Sequence, residues 1–206
     1  MKITDLLSKK AIQLNGTASS KEEAISKMVD LMANNGNIVN KEEYKRVVMA
    51  REQEGTTGIG EGIAIPHGKT DAVSKPGLAA MVIPNGVNFD SMDGQPARLI
   101  FLIAAPNTKD NIHLDVLSRL STLLMDTRFR EELLNADTPE EFLLCIDRAE
   151  RIIHIYLLKF SPTFAVILFF KSFCIHIYYV FNIFFCFYRC SDFIFIIYIF
   201  NNIFNL

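Results

Sequence analysis

An α/β layer fold is predicted for the first 150 residues, on three observations. Helix-period segments alternate with short apolar runs bounded by turn formers. One run, Leu99-Ile100-Phe101-Leu102-Ile103, is apolar at every position, which suits a strand buried on both faces of a sheet. About 150 residues also suffice for one such core.

The elements follow in order. Met1 to Asp5 leads straight into a polar pattern, so no signal peptide is expected. Ser20-x-x-Glu23 reads as a capping box. Behind it Ala24, Ile25, Met28, Val29 and Met32 keep a helical period that ends near Asn34-Asn35-Gly36. Asn40, with Glu43 three residues on, caps a second helix whose stripe is Tyr44, Val47 and Val48. Arg51 is the next residue on that stripe. A cation there needs an anionic partner or an exit to water at the helix end. The other reading sends Arg51 into a site built by the glycine loop that follows.

Gly77 to Ile83 is a short apolar run ending at the turn signal Pro84-Asn85-Gly86. Val87 and Phe89 alternate, Asp93-Gly94 turns again, and Pro106-Asn107 ends the Leu99–Ile103 strand. Asp110 or Asn111 caps a third helix. His113, Leu117, Leu120 and Leu124 share one of its faces, so His113 points inward. Such a histidine is either a hydrogen-bonded core residue or a neutral donor whose pKa the helix N-terminus lowers. A fourth helix starts at Thr127, with Phe129, Leu133 and Leu134. A fifth starts at Thr138-Pro139-x-Glu141, with proline at its first position.

Between the second helix and the Gly77 strand lies the segment richest in chemistry, Gly58 to Thr70. Gly58, Gly60 and Gly62 allow tight turning and can aim backbone N–H groups at an anion. Ile63 and Ile65 flank Ala64 as in a short buried strand, and Pro66 sets the direction of His67. Two nucleotide loops fail here. A Walker loop and a dinucleotide loop each need a glycine where Ile63 stands. His67 remains, as a reactive imidazole or as a structural histidine in a turn.

Net charge is −2, which gives no electrostatic case for nucleic acid. Cys145 is the one cysteine before residue 151, so no disulfide framework is expected there. Cys174, Cys186 and Cys190 match no zinc spacing. Composition changes near Arg151. Residues 151–206 contain no glycine, five charged residues and 13 of the 17 phenylalanines. Lys171, His176, Asn182, Arg189 and Asp192 interrupt every window of the ~20 residues a membrane span needs. Phe, Ile, Tyr, Asn and Lys share AT-rich codons. Residues 149–206 are therefore expected to be an out-of-frame or disordered tail, with a membrane anchor as the other reading.

The run Thr56 to Lys69 resembles the signature of the type 2 EIIA domains of the phosphotransferase system, the fructose/mannitol family. The likeness continues in Ser91-Met92-Asp93-Gly94-Gln95-Pro96, in Ile103 to Pro106 and in His113 to Asp126, and its wording is nearest the fructose branch. It covers residues 1–148. It implies a mixed β-sheet flanked by helices on both faces, with the site at one sheet end. It implies that His67 carries phosphate on Nε2, taken from the phosphocarrier HPr and passed to a cysteine of an EIIB domain. A membrane EIIC is then served only indirectly. Arg51 and His113 fall where the family has an arginine and a second histidine. Arg51 would supply a cation, His113 a hydrogen bond, and the N–H groups around Gly58, Gly60 and Gly62 part of a phosphate cradle. No metal or cofactor is implied, and the location is cytoplasmic. The alternative function is a regulatory phospho-switch like the nitrogen-related EIIA paralogues; the Ser91–Pro96 and Ser118–Asp126 wording favours the sugar branch. A third reading, an inert remnant, follows if the tail prevents folding.

Overall fold

The computed structural model describes residues 2–109 and 111–159. The aromatic segment from residue 160 onward lies outside the described residues. So does the choice between an out-of-frame tail and a membrane anchor, and so does Asp110 as a helix cap. The elements are α1 (Ile3–Leu6), β1 (Leu7–Gln13), α2 (Lys21–Asn34), α3 (Lys41–Glu54), β2 (Gly58–Gly60), β3 (Ile63–Ala64), β4 (His67–Lys69), β5 (Gly77–Val87), β6 (Ala97–Ala105), α4 (Ile112–Leu124), α5 (Thr127–Leu134) and α6 (Pro139–Lys159).

The expected apolar strand is the centre of the sheet. β6 pairs antiparallel with β5 on one side and parallel with both β3 and β4 on the other. The strand order is β1-β5-β6-β3-β2, with β4 also on β6. Leu78 to Ile83 and Leu99 to Ala105 are buried at every position. Successive strand residues face opposite ways, so helices must cover both faces. The fold is thus the mixed sheet between helices that the resemblance implied.

Local signals account for the helix starts. The Ser20 hydroxyl accepts from the Glu23 N–H at 3.2 Å. The Glu23 carboxylate reaches back one residue further than a capping box requires, to the N–H and hydroxyl of Ser19. Asn40 accepts from the Glu43 N–H and Thr138 from the Glu141 N–H. The fourth helix is capped by Asp126, which accepts from the Arg128 N–H. Asn111 stands at the α4 N-cap without a side-chain cap bond.

Three features differ from expectation. α1 and β1 form where the sequence looked merely polar. β1 buries Leu7, Ala11 and Ile12 while Lys9 and Lys10 face water, and it stands at the edge of the sheet. The Pro84-Asn85-Gly86 signal does not end its strand. β5 runs through it with a register break between Val82 and Val87, Gly86 taking φ 69°. Proline and asparagine are exposed there, where a missing ladder bond leaves no buried polar group. Finally, α6 continues past the expected boundary at residue 148 to Lys159, and the chain divides into Met1–Ile153 and His154–Leu206. Among the described residues, no helix is long and apolar enough to cross a membrane.

Candidate functional site

β4 carries His67. Its strand partner among the described strands is β6, in the register His67↔Ile103, Gly68↔Ala104 and Lys69↔Ala105. The Pro66 carbonyl accepts from the Ile103 N–H at 3.0 Å, and the Thr70 N–H donates to Ala105 at 3.1 Å, so both flanks of the histidine are pinned. At Gly68 an added Cβ would lie 3.0 Å from Val48 and 3.1 Å from Tyr44 of α3. The Gly68 face therefore belongs to α3. Alternation turns His67 and Lys69 to the opposite face, where both are half-buried.

The His67 ring is oriented by its own backbone. Nδ1 lies 2.9 Å from the Ile65 carbonyl oxygen. A carbonyl only accepts, so Nδ1 carries a proton when this bond is made, and the lone pair of the neutral ring sits on Nε2. The loop thus presents a defined nucleophilic nitrogen.

His113 stands in the first turn of α4, half-buried, with a buried Nδ1 that has no hydrogen-bond partner among the described residues. Of the two readings open from sequence, a core histidine hydrogen-bonded through Nδ1 is not seen among the described residues. Its pKa is lowered, as expected, though the causes are burial first, then the charges of Lys69 and His67, with Asp115 opposing. His67, Lys69 and His113 therefore share one electrostatic neighbourhood. Lys69 was not singled out from sequence. The available signal was its i+2 spacing from His67, which means a shared face only once 67–69 is known to be a strand.

Arg51 lies half-buried in the last turn of α3, and Nη1 donates to the Gly55 carbonyl at 2.9 Å. It closes the helix C-terminus, where a cation suits the helix dipole, and ties it to the entry of the glycine loop. The charged residue that α3 buries is its neighbour Glu52, which sequence reasoning missed. Glu52 is 5% exposed. Its carboxylate accepts from the Thr57 N–H and hydroxyl and pairs with Lys21 at 3.5 Å. These partners satisfy the carboxylate and anchor the start of the loop.

The three glycines shape a hairpin. β2 and β3 are antiparallel, and Gly60, Glu61 and Gly62 all take positive φ. Gly58 has no room for a side chain, since its Cβ would lie 2.5 Å from the Ser91 hydroxyl. The Gly58 N–H donates to Thr56 Oγ1 and the Glu61 N–H to the Asp93 carboxylate.

Comparison with known proteins places this domain in a class, the phosphotransferase components. The chain belongs to the family described as phosphoenolpyruvate-dependent sugar phosphotransferase system, EIIA 2, whose model matches residues 5–149. It is 44% identical over 151 residues to the PTS system fructose-specific EIIABC component of Bacillus subtilis, covering 73% of this chain and 24% of that protein. It thus spans about a quarter of that relative's length. It is 42% identical to the PTS system fructose-specific EIIA component of Haloferax volcanii, covering 63% of this chain and 84% of that one. Among solved structures it resembles the nitrogen regulatory protein IIA-Ntr from Neisseria meningitidis (TM-score 0.66, 30% identity, 70% of this chain and 98% of that one). It also resembles a complex of enzyme IIAMTL and phosphorylated enzyme IIBMTL from Escherichia coli (TM-score 0.61, 31% identity, 69% and 99%).

Proposed function

We propose that this domain carries phosphate on Nε2 of His67, taking it from phospho-HPr and passing it to a cysteine of an EIIB domain in fructose-type sugar uptake. The observation that supports the reading is the 2.9 Å contact of Nδ1 with the Ile65 carbonyl, which favours the Nδ1–H tautomer with Nε2 free to act as the nucleophile. In the first transfer the P–N bond of the donor breaks as the Nε2–P bond forms. The ring then bears positive charge, which the Ile65 carbonyl stabilises through Nδ1–H. In the second transfer a thiolate attacks phosphorus, and the bonding pair returns to Nε2.

The transferring group is metaphosphate-like, with charge on its equatorial oxygens, so positioning and electrostatics dominate. His113, neutral because its pKa is lowered, donates to one of those oxygens. Lys69, on the His67 face of β4, adds a cation. Arg51 supplies a second by exchanging Gly55 for the phosphoryl group. Gly58, Gly60 and Gly62 shape the hairpin that leads into the acceptor strand. The EIIB acceptor is supported by the solved EIIA–EIIB complex and the fructose branch by the two fructose-specific relatives. EIIC enters only through EIIB. Both partners reach the same histidine, so both dock on one face, in the cytoplasm.

The test is label from phosphoenolpyruvate in the presence of enzyme I and HPr. Wild type takes up acid-labile label and His67→Ala takes up none; persistent labelling of the variant rejects the acceptor. A regulatory reading is supported by the likeness to IIA-Ntr and by 37% identity to a nitrogen regulatory protein of Bradyrhizobium diazoefficiens. Onward transfer separates the two. A sugar component labels a fructose-type EIIB cysteine, and a switch protein does not.

A further inference from the structure

One guanidinium holds together three pieces of chain at the tip of the β2–β3 hairpin. Arg130 of α5 is 9% exposed. Its Nη1 donates to the carbonyls of Leu124 (2.7 Å) and Met125 (3.2 Å), which close α4. Its Nη2 donates to Thr127 Oγ1 (3.2 Å) and to the carboxylate of Glu61 (2.9 Å) at the tip of the β2–β3 hairpin. The hairpin tip is itself braced, because the Glu61 N–H donates to Asp93 at 2.7 Å and Glu61 takes φ 55°.

α4 thus links the two ends of one stretch of chain, Glu61 to His67. His113 in its first turn shares the neighbourhood of His67, and Leu124 in its last turn is tied to Glu61. From Glu61 to His67 an extended chain spans at most roughly 20 Å. From His113 to Leu124 a helix spans roughly 17 Å. Between its ends the helix packs on β6, the central strand.

We propose that Arg130 is a positioning residue of the phosphoryl site: by clamping the hairpin tip to the α4–α5 corner it sets the angle of α4 over β6, and so the distance from His113 to His67. The proposal rests on the reading of His67 as acceptor and His113 as donor. Releasing the clamp lets α4 tilt, drawing His113 away from the acceptor. Small displacements of a positioned donor cost large factors in rate.

Glu61→Gln is the decisive variant, because Glu61 is exposed and the carbonyl bonds of Arg130 survive it. Two readouts are made on the full chain: the NMR titration of His113, and the labelling kinetics with phospho-HPr. The expected results are a His113 pKa displaced upward toward the ordinary imidazole value and a kcat lowered about threefold to tenfold with KM unchanged. Direct loss of a distant negative charge would move that pKa the other way, so the sign identifies the tilt. Arg130→Lys, which keeps the charge but not the fork, shows the same pattern, and the double variant is no worse than the poorer single. An unchanged or lowered His113 pKa in Glu61→Gln overturns the proposal whatever the rate does. So does a change in KM alone, which would make Glu61 a docking residue. If wild type takes no label, the phosphoryl reading fails, and the titration still decides whether the clamp governs His113.

Discussion

His113 shows how one side chain's surroundings set its chemistry. Burial and the nearby charges of Lys69 and His67 hold its pKa below the ordinary imidazole value. The unfolded chain therefore takes up the proton first as pH falls. The stabilising contribution of neutral His113 is complete above about pH 6.5 and declines as pH drops through that value toward the lower folded pKa. His113→Gln should flatten this part of the stability profile, as read by urea unfolding between pH 7 and 5. The same variant should cut phosphoryl uptake by about 10²-fold, the usual loss for one oxyanion donor; an unchanged rate would remove His113 from the site. As candidates, His67, His113 and Arg51 were legible because residue type and phase are written locally. Lys69 and Glu52 were not. Lys69 needed the knowledge that three residues after a proline form a strand. Glu52 is buried by the Thr57 and Lys21 groups that come to it, and no periodicity of α3 announces that.

Among the elements, the edge strand β4, which carries the candidate acceptor His67, was the least visible. Three residues, one of them glycine, give no period-2 pattern to read. Gly68 is needed because α3 crosses directly over it. Gly68→Ala should push Val48 and Tyr44 outward and cost about 1–3 kcal/mol, as overpacking of a filled interface does. Denaturant unfolding measures this, and a loss below about 0.5 kcal/mol would mean that α3 yields freely. The hairpin makes a sharper prediction. At Gly60 an added Cβ meets the Asp93 carboxylate at 3.0 Å with φ at 92°, whereas Gly94, also at positive φ, has open space around it. Gly60→Ala should therefore destabilise more than Gly94→Ala, in thermal melts of the two variants. The amphipathic helices were readable with their caps, because Ser20, Asn40 and Thr138 bond within their own first turns. β1 was not, because a sheet edge leaves half its residues to water and Lys9 and Lys10 hide the pattern.

At the scale of the molecule, Met1–Ile153 has its own core and sheet. A chain ending at Ile153 should unfold in one cooperative transition and take label at the full-length rate. Loss of both would show that later residues are needed for folding.

The sequence by itself determined the α/β class, the helix starts, the central strand and the family, because period, caps and signature are local and survive any packing. It also singled out His67 and His113 as the candidate acceptor and its candidate imidazole neighbour. Tertiary structure alone decided which way each side chain faces at the site. Pairing of β4 with β6 turns His67 and Lys69 together toward α4, and the Ile65 carbonyl selects the ring nitrogen left free. The Arg130 clamp between α5 and the hairpin likewise joins residues far apart in the chain. Those are contacts between segments, and a linear pattern carries no information about which segments meet.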